Sequence, residues 1–120
     1  MNNRFVPQGS YLLTANSVSV HLYCESQKRN GQWIPAGFDL TQLNGGLVNL
    51  DGSLHVEVDA EPQKGYIPNG SYAQTSRNIK VILSAQCRKM DGSWQWSTLD
   101  ITGYQQVPGE IVNDNGVLTL

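Results

Sequence analysis

The side chains best suited to recognition chemistry are polar groups, mostly uncharged, that cluster in turn-forming segments. They are Asn49, Asp51, Ser71, Gln74, Thr75 and Asn78. Hydroxyl, amide and carboxylate groups on rigid turns suit hydrogen bonding to a hydroxyl-rich ligand without turnover. The same residue types are common turn formers. The residue pattern alone therefore leaves a binding role and a structural role equally open.

No catalytic constellation is present in the sequence. His21 and His55 lie in strand-like runs without a metal-binding partner at a suitable spacing, and no G-x-S-x-G string occurs. Asp39 and Asp100 lie at strand ends, where capping a single helical turn is the simpler role. We therefore predict no enzyme activity, no metal and no cofactor.

The cysteines and tryptophans are predicted to be structural. Cys24 and Cys87 fall on the apolar faces of alternating runs, which predicts two buried, reduced thiols, with a disulfide or a nucleophile as alternatives. Trp33 and Trp94 follow turn dipeptides and are predicted to lie in the core, ligand stacking being the alternative. Trp96 has no aromatic counterpart in the repeat and is predicted to be exposed.

Size and charge exclude several classes of protein. The chain has 120 residues, a net charge of −2 and 15% charged residues, which fits one domain. It has no basic stripe for nucleic acid and no apolar run long enough to insert into a membrane. The first residues contain no apolar signal segment, so the expected compartment is the cytoplasm unless this is a processed form.

An internal repeat organises the chain. Gly9-Ser10-Tyr11 recurs 61 residues later, and between residues 9–41 and 70–102, 11 of 33 aligned positions are identical. A second block, 48–54, recurs 64 residues later at 112–118, so the second copy carries three extra residues near 105–110. We expect one domain, 1–120, with repeat one at about 9–58 and repeat two at about 70–120, joined by a connection at 59–69.

The periodicity predicts an all-β fold. Residues 18–26 and 79–87 alternate as half-buried strands do, and each leads to a turn dipeptide, Asn30-Gly31 or Asp91-Gly92, for which we predict type I′ geometry. Further hairpins are predicted to turn at 51–52 and 115–116, and the final residues 117–120 to form a paired strand.

The order of these strings resembles the cyanovirin-N homology family of lectins. The resemblance spans residues 9–120. It rests on the Gly-Ser-Tyr plus Thr start of each copy, on Gln74-Thr75-Ser76-Arg77-Asn78 and Cys87-Arg88-Lys89, and on the hairpins 48–54 and 112–118. It implies an elongated, pseudo-two-fold fold in which each half is a three-stranded sheet plus an exchanged hairpin. It also implies metal-free, non-catalytic binding of high-mannose glycans, especially terminal α(1→2)-linked mannose, by a monomer or a domain-swapped dimer.

One departure from the family concerns its disulfides. Founding members carry one bridge in each repeat, and the corresponding positions here are Ala15 with Ser26 and Ser76 with Cys87. Neither bridge can form. The chain in this respect resembles the disulfide-free members found in fungi, which agrees with a protein that is not secreted.

The resemblance implies two sugar-binding pockets. The middle pocket would use Asn49, Asp51, Ser71, Gln74, Thr75, Arg88 and Lys89. The terminal pocket would use Ser10, Thr14, Gln27, Arg29, Asn113, Asp114 and Asn115. Val48 replaces an acidic residue of the founder beside the first set, and Leu13 replaces a glutamine beside the second. Since leucine cannot bond a hydroxyl, we expect the middle pocket to be the stronger.

Three alternatives remain open at this point. The same scaffold can serve as a structural or protein-interaction module that has lost sugar binding. A small glycan hydrolase is disfavoured because no carboxylate pair is evident. At the level of the fold, a two-motif β-crystallin-like protein is disfavoured because an offset of 61 residues is long for it.

Overall fold

A computed structural model describes residues 5–43, 45–57, 66–103 and 111–119. Two short 3-10 helices, η1 and η2, and eight strands make up its regular structure. Their bounds are η1 Ser10–Leu13, β1 Ala15–Gln27, β2 Trp33–Asp39, β3 Gly46–Leu50, β4 Ser53–Glu57, η2 Ser71–Thr75, β5 Ser76–Arg88, β6 Trp94–Asp100, β7 Val112–Asp114 and β8 Val117–Thr119. The predicted all-β class is confirmed. No helix within these ranges is long and apolar enough to cross a membrane.

One antiparallel sheet runs the length of the molecule, with strand order β2-β1-β5-β6, while β3-β4 and β7-β8 form separate hairpins. β2 pairs with residues 21–27 of β1, and β6 pairs with residues 82–88 of β5. Three strands therefore lie side by side at each end. In place of two three-stranded sheets there is one continuous sheet, because β1 and β5 pair along nearly their whole length. The molecule is elongated, measuring 52 × 26 × 22 Å.

The core lies under the inward face of this sheet. Val20, Leu22 and Cys24 of β1 alternate with exposed or half-buried residues, and β5 repeats the pattern with its own apolar set of Val81, Leu83, Ala85 and Cys87. Each such large aliphatic side chain contributes about 1.5–3 kcal/mol on burial. Both cysteines are buried and free, as predicted. Burial also raises the pKa of the Cys87 thiol.

Steric contacts explain why both copies of the repeat contain the Gly-Ser-Tyr string. Gly70 has φ 131°, and a Cβ there would lie 2.6 Å from the backbone nitrogen of Leu47. Gly9 stands in the same relation to Ile111, with 2.7 Å to its nitrogen. The tyrosine that follows is fully buried, and in repeat two the Tyr72 hydroxyl donates to the Pro68 carbonyl at 2.8 Å. The string thus seats one hairpin against each short helix.

Turn geometry differs from the prediction in the first hairpin of each copy. At Asn30-Gly31 only the glycine has positive φ, 88°, and Gly31 N–H donates to the Lys28 carbonyl at 2.9 Å. The Asn30 side chain accepts the Gln32 N–H at 2.9 Å, which holds Asn30 at negative φ. The type I′ prediction is therefore wrong here and at Asp91-Gly92, where Gly92 alone of the pair has positive φ.

Both central residues of the two later hairpins have positive φ. Asp51 and Gly52 have φ 51° and 94°, and the values for Asn115 and Gly116 are 48° and 93°. This is the backbone sign pattern of a type I′ turn, which asparagine and aspartate tolerate and glycine favours. The predicted hairpins at these positions are confirmed.

The single helical turns that Asp39 and Asp100 are predicted to cap, at 39–42 and 100–103, are not formed. Instead, the Asp39 carboxylate accepts the Thr41 N–H at 2.9 Å and its hydroxyl at 2.7 Å, which closes a non-helical turn. The Thr41 hydroxyl in turn accepts the Val20 N–H at 2.9 Å and ties this turn to β1. The short helices of the described residues, η1 and η2, instead precede β1 and β5.

The prediction that Trp33 and Trp94 lie in the core is wrong. Trp33 is half-buried on the outer face of the sheet, and Trp94 is 46% exposed. Strand alternation turns Phe38 of β2 and Leu99 of β6 toward the core and leaves the tryptophans outward. Trp96 is 61% exposed, as predicted.

Three predictions fall partly or wholly outside the described residues. The connection predicted at 59–69 is described only from Tyr66, and the three extra residues near 105–110 lie wholly outside the description. In the predicted final strand, 117–120, β8 is confirmed as far as Thr119.

Candidate functional site

An open cleft of about 380 Å³ lies where the β1–β2 turn, the β3–β4 turn and the end of η2 meet. We call it the middle cleft. Its walls are Gln27, Lys28, Arg29, Gly31, Asn49, Leu50, Asp51 and Thr75. Seven of these eight residues are polar or glycine, so the cleft matches a ligand that forms hydrogen bonds more than one that is purely apolar.

Asn49 links the β1–β2 turn, the β3–β4 turn and the end of η2 by hydrogen bonds. Its Nδ2 donates to the Gln27 carbonyl at 2.9 Å and to the Thr75 Oγ1 at 2.9 Å. Its Oδ1 accepts the Gly52 N–H at 2.7 Å. Because both ends of this amide are occupied by the protein, its role in the cleft is to hold the hairpin on β1 and η2.

Asp51 supplies the charged acceptor of the cleft. Its Oδ1 accepts the Arg29 N–H at 2.9 Å, and within the described residues its Oδ2 accepts no hydrogen bond. Asp51 lies at the tip of the hairpin with φ 51°, and it is exposed. One carboxylate oxygen is thus held in place while the other faces solvent.

The same arrangement of bonds recurs at the other end of the molecule, in a group we call the terminal cluster. It consists of Thr14, Arg88, Lys89, Met90, Asn113 and Asn115. Asn113 Nδ2 donates to the Arg88 carbonyl at 2.9 Å and to Thr14 Oγ1 at 3.0 Å, and its Oδ1 accepts the Gly116 N–H at 2.7 Å. Asn115 Oδ1 accepts the Met90 N–H at 2.9 Å.

The two ends differ in the chemistry they present. Asp51 leaves a charged oxygen free, whereas Asn115 at the matching place leaves an amide NH2. Met90 stands where the middle cleft has Arg29, and it is 89% exposed. Leu13, beside the terminal cluster, is 87% exposed. The terminal cluster therefore lacks a carboxylate at the position of Asp51, and the exposed Asp114 of its hairpin stands where the middle cleft has Leu50.

The predicted grouping of site residues needs one correction. Gln27 and Arg29 were assigned to the terminal pocket but line the middle cleft. Arg88 was assigned to the middle pocket, yet its backbone lies on Asn113 and Thr14; Lys89 lies against Gly116 of the terminal hairpin. The cause is the antiparallel pairing of β1 with β5, which brings the end of each strand to the start of the other.

The other predicted residues occupy peripheral positions. The Ser71 hydroxyl donates to Glu57 at 2.7 Å, at the base of the β3–β4 hairpin. Ser10, Gln74 and Asp114 are exposed, and their side chains form no hydrogen bond within the described residues. They are accessible to a ligand but are not fixed in place.

Sequence reasoning missed Lys28, Gly31 and Leu50 as cleft residues. Lys28 carried a usable signal, because it is identical to Lys89 in the repeat alignment and Lys89 was already assigned. Leu50 carried none, since its counterpart in the second hairpin is Asp114.

The histidines and acidic residues form no metal centre within the described ranges, where no group of three potential ligands occurs. His21 is half-buried with its ring 4.6 Å from that of Tyr23, and His55 is exposed on β4. His21 thus packs against a neighbouring aromatic ring, and His55 is a surface residue.

The chain matches no protein-family model and no curated protein. The resemblance carried by the repeated strings therefore remains a hypothesis, and the case for function rests on the geometry of the middle cleft and the terminal cluster.

Proposed function

We propose that this protein is a non-catalytic carbohydrate-binding protein, a lectin that takes the terminal α(1→2)-linked mannose of high-mannose glycans in the middle cleft. The observation that carries the proposal is the free Oδ2 of Asp51, held at the rim of an open polar cleft by the bond from Arg29 N–H to Oδ1. Sugar hydroxyls donate strongly to a charged acceptor.

The composition of the cleft supports a neutral, hydroxyl-rich ligand. Lys28 and Arg29 offer donors to hydroxyl oxygens, and Asp51 accepts from hydroxyl protons. Thr75 Oγ1 accepts from Asn49 and donates to the Tyr72 carbonyl at 3.5 Å, which leaves it one further acceptor position. Each bond replaces one with water, so its net contribution is about 0.5–1.5 kcal/mol. An open cleft with a few such bonds accounts for weak binding at one site, which a branched glycan strengthens by engaging more than one site.

The finer architecture is part of the same proposal. The two copies form matched halves of a pseudo-two-fold fold, and each hairpin is exchanged onto the other copy. The contacts of Asn49 with Thr75 and of Asn113 with Thr14 support this, because each joins a hairpin of one repeat to the start of the other. The terminal cluster is then a second, weaker sugar site.

The test uses Asp51→Asn, which gives the middle cleft the side chain found at the terminal cluster. Asparagine tolerates the positive φ of 51° and keeps the acceptor for Arg29 N–H, whereas alanine would lose that bond and strain the turn. Replacing a charged acceptor by a neutral one costs about 1 kcal/mol per bond, so affinity for α(1→2)-mannobiose should fall about fivefold. The matched control, Asn115→Asp, should leave the middle cleft unchanged.

The readout is an NMR titration of labelled protein with α(1→2)-mannobiose. We expect shifts around Asn49, Asp51 and Thr75 in the wild-type protein, with weaker binding at these positions in Asp51→Asn. Equal affinities for the two proteins would refute the role of Asp51. No shift at millimolar sugar would refute the lectin and favour the alternative, a protein-interaction module, for which the exposed Met90 and Leu13 supply apolar contacts.

A further inference from the structure

The three tryptophans lie on the outer face of the long sheet but in two different environments. The ring of Trp33 is covered by Arg77, whose guanidinium carbon lies 4.2 Å from the ring centroid. Arg77 is held there by Glu25, at 3.1 Å from its Nε. Asn78 Nδ2 donates to the same Glu25 oxygen at 2.7 Å. The protein thus closes this aromatic face with its own cation.

At the other end of the sheet, Trp94 and Trp96 have no such cover. Within the described residues no cation lies over either ring, and the rings are 46% and 61% exposed. The two residues alternate with Gln95 along β6, so they share one face about 6.5–7 Å apart. Together they form an open aromatic surface, which we call the Trp94–Trp96 platform.

The repeat explains why the platform is open. In the alignment of the two copies, Asn16 stands where the other end has Arg77, and Gln86 stands where it has Glu25. Both the covering cation and the carboxylate that anchors it are replaced by neutral amides. Asn16 pairs with Gln86 across the sheet, and Gln86 pairs with Trp96, so these amides lie on the Trp96 side of the surface, while Arg88 pairs with Trp94 without lying over its ring. Neither side-chain amide has a hydrogen-bond partner within the described residues.

We infer that the Trp94–Trp96 platform is a carbohydrate-binding surface, separate from the hairpin tips, that stacks the C–H face of a neutral pyranose ring on its indoles. The π face is negative, so it attracts the weakly positive C–H groups of a sugar. The amides of Asn16 and Gln86 offer donors and acceptors for the equatorial hydroxyls at the ring edge. Gln86 stands in place of the carboxylate that anchors a cation at the other end, which favours a neutral ligand over a cationic one.

This platform does not use the side chains of the middle cleft. Its residues belong to β1, β5 and β6, whereas Asp51 and Thr75 lie at the opposite end of the sheet. Sugar binding at the platform is therefore independent of mannose binding in the middle cleft, and Asp51→Asn leaves the platform intact.

The experiment titrates 15N-labelled protein with cellotetraose, a linear β-linked glucan whose rings have flat C–H faces, and follows the three indole N–H signals. Trp33 is the internal control because Arg77 covers it. The test variant is Asn16→Arg combined with Gln86→Glu, which rebuilds over Trp94 the cover that exists over Trp33 without removing a tryptophan. A second variant, Trp94→Ala with Trp96→Ala, removes the stacking surface; both side chains are exposed enough for the fold to persist.

We expect cellotetraose to shift the Trp94 and Trp96 signals and leave Trp33 unchanged, with affinity at least about tenfold weaker in both variants. No shift at Trp94 and Trp96, or equal affinity in the covered variant, would overturn the inference. Two further results would also overturn it. Shifts that depend on protein concentration without sugar would make the platform a contact between copies of the chain. Tighter binding of arginine methyl ester than of cellotetraose would make it a cation site.

Discussion

Asn49→Ala tests whether one amide holds the middle cleft together. The change removes three short hydrogen bonds, from Nδ2 to the Gln27 carbonyl, from Nδ2 to Thr75 Oγ1 and from Gly52 N–H to Oδ1. Each is worth about 0.5–1.5 kcal/mol net, and Asn49 is half-buried, so the free energy of unfolding should fall by about 2–3 kcal/mol. For a domain of this size, Tm should fall by about 10 °C.

The assay is urea unfolding followed by far-UV circular dichroism, with linear extrapolation to water. Asn113→Ala is the matched variant, because Asn113 makes the same bonds to Arg88, Thr14 and Gly116. Ser53→Ala is the control: this residue is exposed on the same hairpin, and its side chain forms no hydrogen bond within the described residues.

We expect both asparagine variants to lose similar stability with unchanged m values, and Ser53→Ala to behave like the wild-type protein. A loss below about 0.5 kcal/mol in both asparagine variants would refute the reasoning, because it would mean that water replaces the amide without cost. A large loss in only one of them would show that the two ends are not held in the same way.

Two other predictions concern backbone approach and charge. Gly70→Ala should destabilise the protein severely, since the added Cβ meets the backbone of Leu47 and φ is 131°. Gly31→Ala, where nothing lies within 4 Å of the added Cβ, should lower the free energy of unfolding by only about 1 kcal/mol in the same urea assay. Equal losses of stability in the two variants would contradict the steric argument. Bonds from Asn78 and Arg77 lower the pKa of Glu25. Its stabilising contribution is therefore present above the ordinary glutamate pKa and is lost as the pH falls through the lowered value. Glu25→Gln should weaken this acid-side dependence and expose Trp33 to acrylamide quenching at neutral pH; unchanged quenching would refute the cover by Arg77.

The strands and most of the core were predictable because they depend on local periodicity. Val20, Leu22 and Cys24 alternate with polar residues, so the strand and its buried face followed directly. The error at Trp33 and Trp94 came from weighting their large apolar surface above strand alternation. In β2, Ala36 and Phe38 share the opposite parity and pack toward the core.

The grouping of site residues could not be predicted locally. Gln27 and Thr75 are far apart in sequence and meet only because β1 and β5 pair antiparallel over nearly their full length. The repeat predicted that matched sites would exist, and the matching contacts of Asn49 and Asn113 agree with that. It gave no means of deciding which turn of one copy lies against which hairpin.

The antiparallel pairing of β1 with β5 also sets an order of folding. Ser26 and Ser76, whose hydroxyls are 2.9 Å apart, are 50 residues apart in sequence, and every pair toward Ala15 and Cys87 closes a longer loop. Loop closure becomes more costly with length, so zippering begins at the end that carries the middle cleft. The bond from Asn113 to Thr14 spans 99 residues and must await the last hairpin. A chain emerging from the ribosome therefore assembles the middle cleft first, and the terminal cluster closes last.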